Sequence, residues 1–122
     1  MKPMTELANE SRLYVRVRYR DPVLVQPLGT HPAMHSFYLL ADDLSEGGLR
    51  LLSPTVIPVD ADLLLDIEVH RAKAPIRAVG RVLWVAKADS GDLWNTGVRF
   101  TELSDPDKTR LWELVAELRR SG

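Results

Sequence analysis

The sequence predicts a small, mainly β domain, an antiparallel barrel or sandwich, closed by one C-terminal helix. Three observations carry that prediction. Short apolar runs alternate with polar residues and are separated by Gly, Pro, Asn and Asp at strand-and-turn spacing. Two of those runs, Phe37-Tyr38-Leu39-Leu40-Ala41 and Leu49-Arg50-Leu51-Leu52, flank the polar, glycine-rich step Asp43-Leu44-Ser45-Glu46-Gly47-Gly48 and read as a hairpin. Only in the last segment does the period change to a helical one, with Leu111, Leu114, Val115 and Leu118 on one face.

Residues 1–13 lack a sustained apolar period and are expected to form a flexible N-terminal segment, with a single domain over residues 14–122. Residues 14–20 alternate strictly, Val15, Val17 and Tyr19 against Arg16, Arg18 and Arg20, which predicts a half-buried first strand with a guanidinium-lined outer face. Asp21-Pro22 is expected to interrupt it, and Val23-Leu24-Val25 to continue it at a sheet edge. A Pro- and Gly-containing loop over 26–35 precedes the hairpin strands, placed at 36–43 and 48–53. A fourth strand is expected over 63–70, a fifth over 76–86, and a sixth from Gly97. The helix is expected to take Asp105 as N-cap and Pro106 as its first residue, with Ser104 the alternative cap one residue earlier. It would cover an open end or edge.

With 122 residues, 45% of them hydrophobic and 27% charged, the chain has the composition of one globular domain. The net charge of −1 argues against a long polyanion as partner. Arg12, Arg16, Arg18 and Arg20 nonetheless cluster, which suits a compact anion. The absence of cysteine excludes disulfides and thiolate chemistry and fits a reducing compartment. No apolar run approaches the ~20 residues of a membrane helix, and the first residues lack a signal-peptide core. A cytoplasmic protein is expected.

Enzymatic signatures are missing: no nucleophile elbow, no phosphate-binding Gly-rich loop before a helix, no zinc-protease motif. Pro32 between His31 and His35 argues against a helical metal pair. Asp60, Asp62 and Asp66 read as solvated charges.

Three features point to a binding site instead. In extended chain Asp43 and Ser45 leave one face, and Gly48 is free to take positive φ and admit a close neighbour; a plain capped turn is the alternative. Arg12 and Arg16 are four residues apart, which is ~13 Å in extended chain and closer in a turn. A guanidinium fork suits phosphate or the O6/N7 edge of guanine, although an exposed basic strand face would look the same. Gly80, Val82 and Trp84 share a face in a regular strand, so Trp84 is either packing or a stacking platform. Trp94 is expected to cover a loop and Trp112 to pack the helix.

Together these residues resemble the PilZ domain family. Arg12 and Arg16 match its Arg-x-x-x-Arg; Asp43, Ser45 and Gly48 match its Asp/Asn-x-Ser-x-x-Gly. Gly80-Arg81-Val82-Leu83-Trp84 and Gly97-Val98-Arg99-Phe100 match two later strands, and a C-terminal helix follows. The resemblance implies a six-stranded antiparallel β-barrel of the split kind and a non-enzymatic receptor for cyclic di-GMP, with no cofactor. It implies that Arg12 and Arg16 hold phosphates and guanine edges, Asp43 accepts from a guanine N–H edge, Ser45 gives a hydroxyl, Gly48 keeps the turn open and Trp84 stacks. Arg99 is expected to stand outside that set. The output would pass to a protein partner in motility, adhesion, secretion or virulence, without membrane insertion or a nucleic-acid polymer, from a monomer or homodimer. Two rival functions are a PilZ-like adaptor using protein contacts alone and a barrel for single-stranded nucleic acid.

Overall fold

The computed structural model describes residues 22–29, 36–69, 74–89 and 91–121. Six strands and one helix follow in order: β1 (Pro22–Pro27), β2 (Phe37–Leu44), β3 (Gly48–Ser53), β4 (Asp62–Ile67), β5 (Ile76–Lys87), β6 (Trp94–Leu103) and α1 (Asp105–Ser121). All neighbouring pairs are antiparallel, and the ring β1-β2-β3-β6-β5-β4 closes through β1 and β4. The mainly β reading is thereby settled as a six-stranded barrel rather than a sandwich.

The first strand differs from expectation. Residues 14–20 lie outside the described residues, and the barrel is complete without them. Its first strand begins at Pro22, the residue expected to interrupt one, and pairs on both sides, with β2 and β4, rather than lying at an edge. Prolines occupy the two ends of β1, where a missing ladder donor matters least, and Val23 and Val25 between them are fully buried. The sixth strand starts at Trp94, earlier than expected, and the fourth ends at Ile67.

Alternation fills the interior. Val23, Val25, Leu39, Ala41, Leu49, Leu51, Leu63, Leu65, Ile67, Ile76, Val82 and Val98 all belong to one buried cluster. Outward residues of β4 and β5 form ion pairs across the ladder: Arg77 Nε to Asp66 at 2.8 Å and Arg81 Nε to Asp62 at 3.0 Å. These hydrogen bonds, and the attraction behind them, raise both guanidinium pKa values above the ordinary one. Asp60 instead takes a left-handed turn, φ 72°.

Leu111 and Val115 enter the same interior cluster from α1, with Leu114 and Leu118 packed beside them. A closed ring has no free edge, so the helix closes an end. Ser104, not Asp105, is its N-cap: Asp107 N–H donates to Ser104 Oγ at 3.2 Å and Lys108 N–H to Ser104 O at 2.8 Å. Trp112 does not pack the helix. One residue past Leu111, it turns about 100° from the buried stripe and is 53% exposed. Trp94 is a half-buried strand residue, with the Lys87 ammonium 4.9 Å from its ring centroid. Among the described residues no helix is long and apolar enough to cross a membrane.

Leu111→Ala should lower unfolding free energy by about 2–5 kcal/mol through the cavity it leaves. Trp112→Ala should stay within about 0.5 kcal/mol of the parent. Urea titration followed by far-UV circular dichroism separates the two.

Candidate ligand site

The Asp43–Gly48 segment closes the β2–β3 hairpin. Ser45 N–H donates to Gly48 O at 2.9 Å, Ser45 Oγ donates to the same oxygen at 3.3 Å, and Gly47 N–H donates to Ser45 Oγ at 3.2 Å. Ser45 is only 3% exposed. It follows the last residue of β2, so strand alternation does not relate it to Asp43 as the sequence suggested. Its hydroxyl is turned into the loop and shapes it.

Gly48 also differs from expectation. Its φ is not positive; among glycines, positive values occur at Gly29 and Gly91 among the described residues. What comes close is the chain itself. A Cβ at residue 48 would collide with the Val98 carbonyl oxygen, a backbone atom of β6 that has little room to yield. Gly48 pairs with Arg99 across that ladder, and Phe100 N–H donates to Gly47 O at 2.8 Å. The turn is therefore fixed against β6 from both sides.

Two bulges aim the remaining side chains. On β2 the register shifts between Ala41 and Asp43, so Ala41 and Leu44 both point inward while Asp42 and Asp43 meet Arg50. Arg50 Nη2 contacts Asp42 Oδ2, and Arg50 Nε lies 3.6 Å from Asp43 Oδ2. On β5 the register shifts between Val82 and Trp84. Gly80 and Val82 stay inside, whereas Trp84 crosses to the outer face, so the three do not share one face. Trp84 lies over Gly97: a Cβ there would run into its indole Nε1, Cε2 and Cδ1.

Registers across β2, β3, β6 and β5 place Asp43, Arg50, Gly97 and Trp84 in one outward row. At ordinary strand spacing that row is about 14 Å wide. An acid stands at one end, an indole at the other, and a guanidinium between them. Sequence reading missed Arg50 and Gly97. The signal was present for Arg50, a charged residue between two inward leucines and two positions after Gly48. For Gly97 only its register opposite Trp84 reveals the role.

Next to the turn opens a groove of about 1030 Å³, whose walls include Glu46, Gly47, Arg77, Arg99, Phe100 and Lys108. Glu46 Oε2 sits 3.5 Å from Arg119 Nη2, which ties the turn to the far end of α1, while its Oε1 is buried without a hydrogen-bond partner. Arg12 and Arg16, and with them the segment 1–13, His31 and His35, lie outside the described residues. Asp43, Gly48 and Trp84 are brought to one side of the barrel, and Ser45 serves the turn that joins them.

The fold is thus a small closed barrel with a fixed hairpin and an outward acid–guanidinium–indole row. The chain belongs to the PilZ domain family, whose sequence profile matches residues 10–117. Domains of this family are receptor or effector modules, generally without catalytic activity. No curated protein matches the chain. Among solved structures it is similar in fold to the inhibitor of motility MotI/DgrA of Bacillus subtilis, with TM-score 0.70 and 13% identity over 88% of this chain and 50% of that one. The PilZ domain of YcgR from Escherichia coli, described with c-di-GMP, matches with TM-score 0.63 and 16% identity, over 88% of this chain and 91% of that one. MrkH of K. pneumonia, in a c-di-GMP complex, matches with TM-score 0.67 and 19% identity, over 88% of this chain and 51% of that one. The chain thus spans about half the length of MotI/DgrA and MrkH.

Gly97→Ala should force the indole off β6. The expected result is a shifted tryptophan emission maximum, a changed near-UV spectrum and about 1–3 kcal/mol less stability by urea unfolding. An unchanged near-UV spectrum would show that Trp84 does not rest there.

Proposed function

We propose that this domain is a cyclic di-GMP receptor that carries no chemistry of its own and passes the messenger's level to a protein target. The observation that carries the reading is the Asp43–Gly48 turn, fixed against β6 beside an outward acid, guanidinium and indole, in a chain of this family. The solved neighbours YcgR and MrkH, described with the same ligand, support it.

The chemistry of each residue suits the ligand. Asp43 offers carboxylate oxygens to the N1–H and N2–H donors of a guanine. The Trp84 indole offers a flat apolar face on which a base can stack. Arg12 and Arg16 supply guanidinium forks for the two phosphates and the guanine O6/N7 edges. Ser45 acts through the turn and holds Asp43 and Gly48 in place. In this reading the ligand draws residues 1–13 onto the domain formed by 14–122, and the altered surface is what a cytoplasmic partner recognises. That partner would belong to motility, adhesion, polysaccharide secretion or virulence. No cofactor is required. Among the described residues no cluster of three or more His, Cys, Asp or Glu side chains could hold a metal ion.

Titration calorimetry with cyclic di-GMP tests the proposal. Binding should be seen at micromolar ligand. Arg16→Ala and Asp43→Ala should each weaken it at least about tenfold, the loss expected for a charge-assisted hydrogen bond. Glu113→Ala, at an exposed position of α1 that lies in neither the outward row nor the groove wall, should bind as the parent does. No heat well above micromolar ligand would refute the assignment, and partner capture without nucleotide would then favour a purely protein-binding adaptor.

A further inference from the structure

Seven described arginines, at positions 50, 77, 81, 99, 110, 119 and 120, lie on the strands or on α1; five are ion-paired, and of the other two only Arg99 belongs to the groove wall. Arg50 meets Asp42, Arg77 meets Asp66, Arg81 meets Asp62, Arg110 meets Asp107 and Arg119 meets Glu46. Arg99 makes no ion pair among the described residues. It is exposed, it lies directly opposite Gly48 across the β3–β6 ladder, and it is one of the residues of the groove wall that includes Glu46 and Gly47. The groove's other arginine, Arg77, already donates from Nε and Nη2 to the two oxygens of Asp66, at 2.8 and 3.1 Å.

Arg99 is also held in register with the turn. The Phe100 N–H bond to Gly47 O and the tight Gly48–Val98 contact leave the two segments little freedom to slide. An anion seated beside the turn therefore meets one uncommitted guanidinium fork at a fixed place. That fork presents parallel N–H donors matched to two oxygens of a phosphate, and among the described residues no carboxylate is ion-paired with it.

We propose that Arg99 is a phosphate-binding residue of the dinucleotide site, reached through the groove and separate from the amino-terminal arginine pair. This reverses the sequence expectation, which left Arg99 outside the site. It rests on the reading of the domain as a cyclic dinucleotide receptor. A ligand with two phosphates then has a cation on β6 in addition to those of the amino-terminal pair.

Calorimetry on the full chain at low and high salt tests it, with cyclic di-GMP as probe. Arg99→Gln should weaken binding about tenfold or more and flatten the dependence of affinity on salt, since one screened charge contact is gone. Arg99→Lys should recover part of the loss, because a point charge replaces the fork. Arg81→Gln is the matched comparison: it is the register partner of Arg99 on β5 and makes the same charge change outside the groove wall. It should leave affinity and salt dependence as in the parent. Arg99 is exposed and has no ion pair among the described residues, so thermal unfolding of Arg99→Gln should match the parent, which separates lost binding from lost fold. Parental binding by Arg99→Gln, or equal losses for Arg99→Gln and Arg81→Gln, would overturn the proposal while leaving the receptor reading intact if Arg16→Ala still loses affinity. Absence of binding by the parent chain would instead overturn the receptor reading, and this proposal with it.

Discussion

The site depends on one close approach. The Val98 carbonyl occupies the place where any side chain at residue 48 would begin, so β3 and β6 run together at the foot of the hairpin. Hydrogen bonds add direction to this contact. Gly48 O accepts from Ser45 twice over, through its backbone N–H and its hydroxyl, and Gly47 O accepts from Phe100. A turn that would otherwise be a mobile loop tip thereby becomes part of the sheet. The other candidate residues are placed relative to it by ladder register: Arg50 two residues on, Gly97 opposite Arg50, Trp84 opposite Gly97, Arg99 opposite Gly48.

Bulges then do what strict alternation cannot. A regular β2 would send Asp42 outward and Asp43 inward, into an apolar barrel where an unpaired carboxylate is costly. The extra residue lets both acids meet Arg50 while Ala41 and Leu44 stay in the core. A regular β5 would bury Trp84 on the same side as Val82. The shift after Val82 moves the indole outside instead, and Val85 takes over the packing against the interior. In both strands a single inserted residue separates a core-filling half from a half that carries outward chemistry.

How far the sequence revealed this depends on the range of the interaction. The hairpin was legible because Gly47-Gly48 and the flanking apolar runs are local signals, and its strands fall within a residue of expectation. The helix was legible from its apolar period, but Trp112 was misjudged because a single step along a helix rotates a side chain away from the stripe. The strand over 22–27 was undervalued because the alternating arginines before it gave a stronger pattern than three apolar residues bracketed by prolines. Asp43 and Trp84 were picked out as candidates, but the face each takes was not legible: the bulges that aim them exist in the pairing of two strands and leave no mark in either one. Gly48 was recognised as special for a reason that did not hold, since what crowds it lies fifty residues further along the chain.

The closed ring has a consequence for how any partner reads the domain. Many protein pairs join by strand addition, in which one chain lends its backbone to the unsatisfied rim of another's sheet. Here each of the six described strands already has a neighbour on both flanks over part or all of its length, so no strand among the described residues is a free edge throughout. The described barrel thus offers little main chain for such pairing and presents mainly the side chains that clothe it and its helix. Among the described residues the same closure leaves no free-standing edge strand as a template for end-on polymerisation.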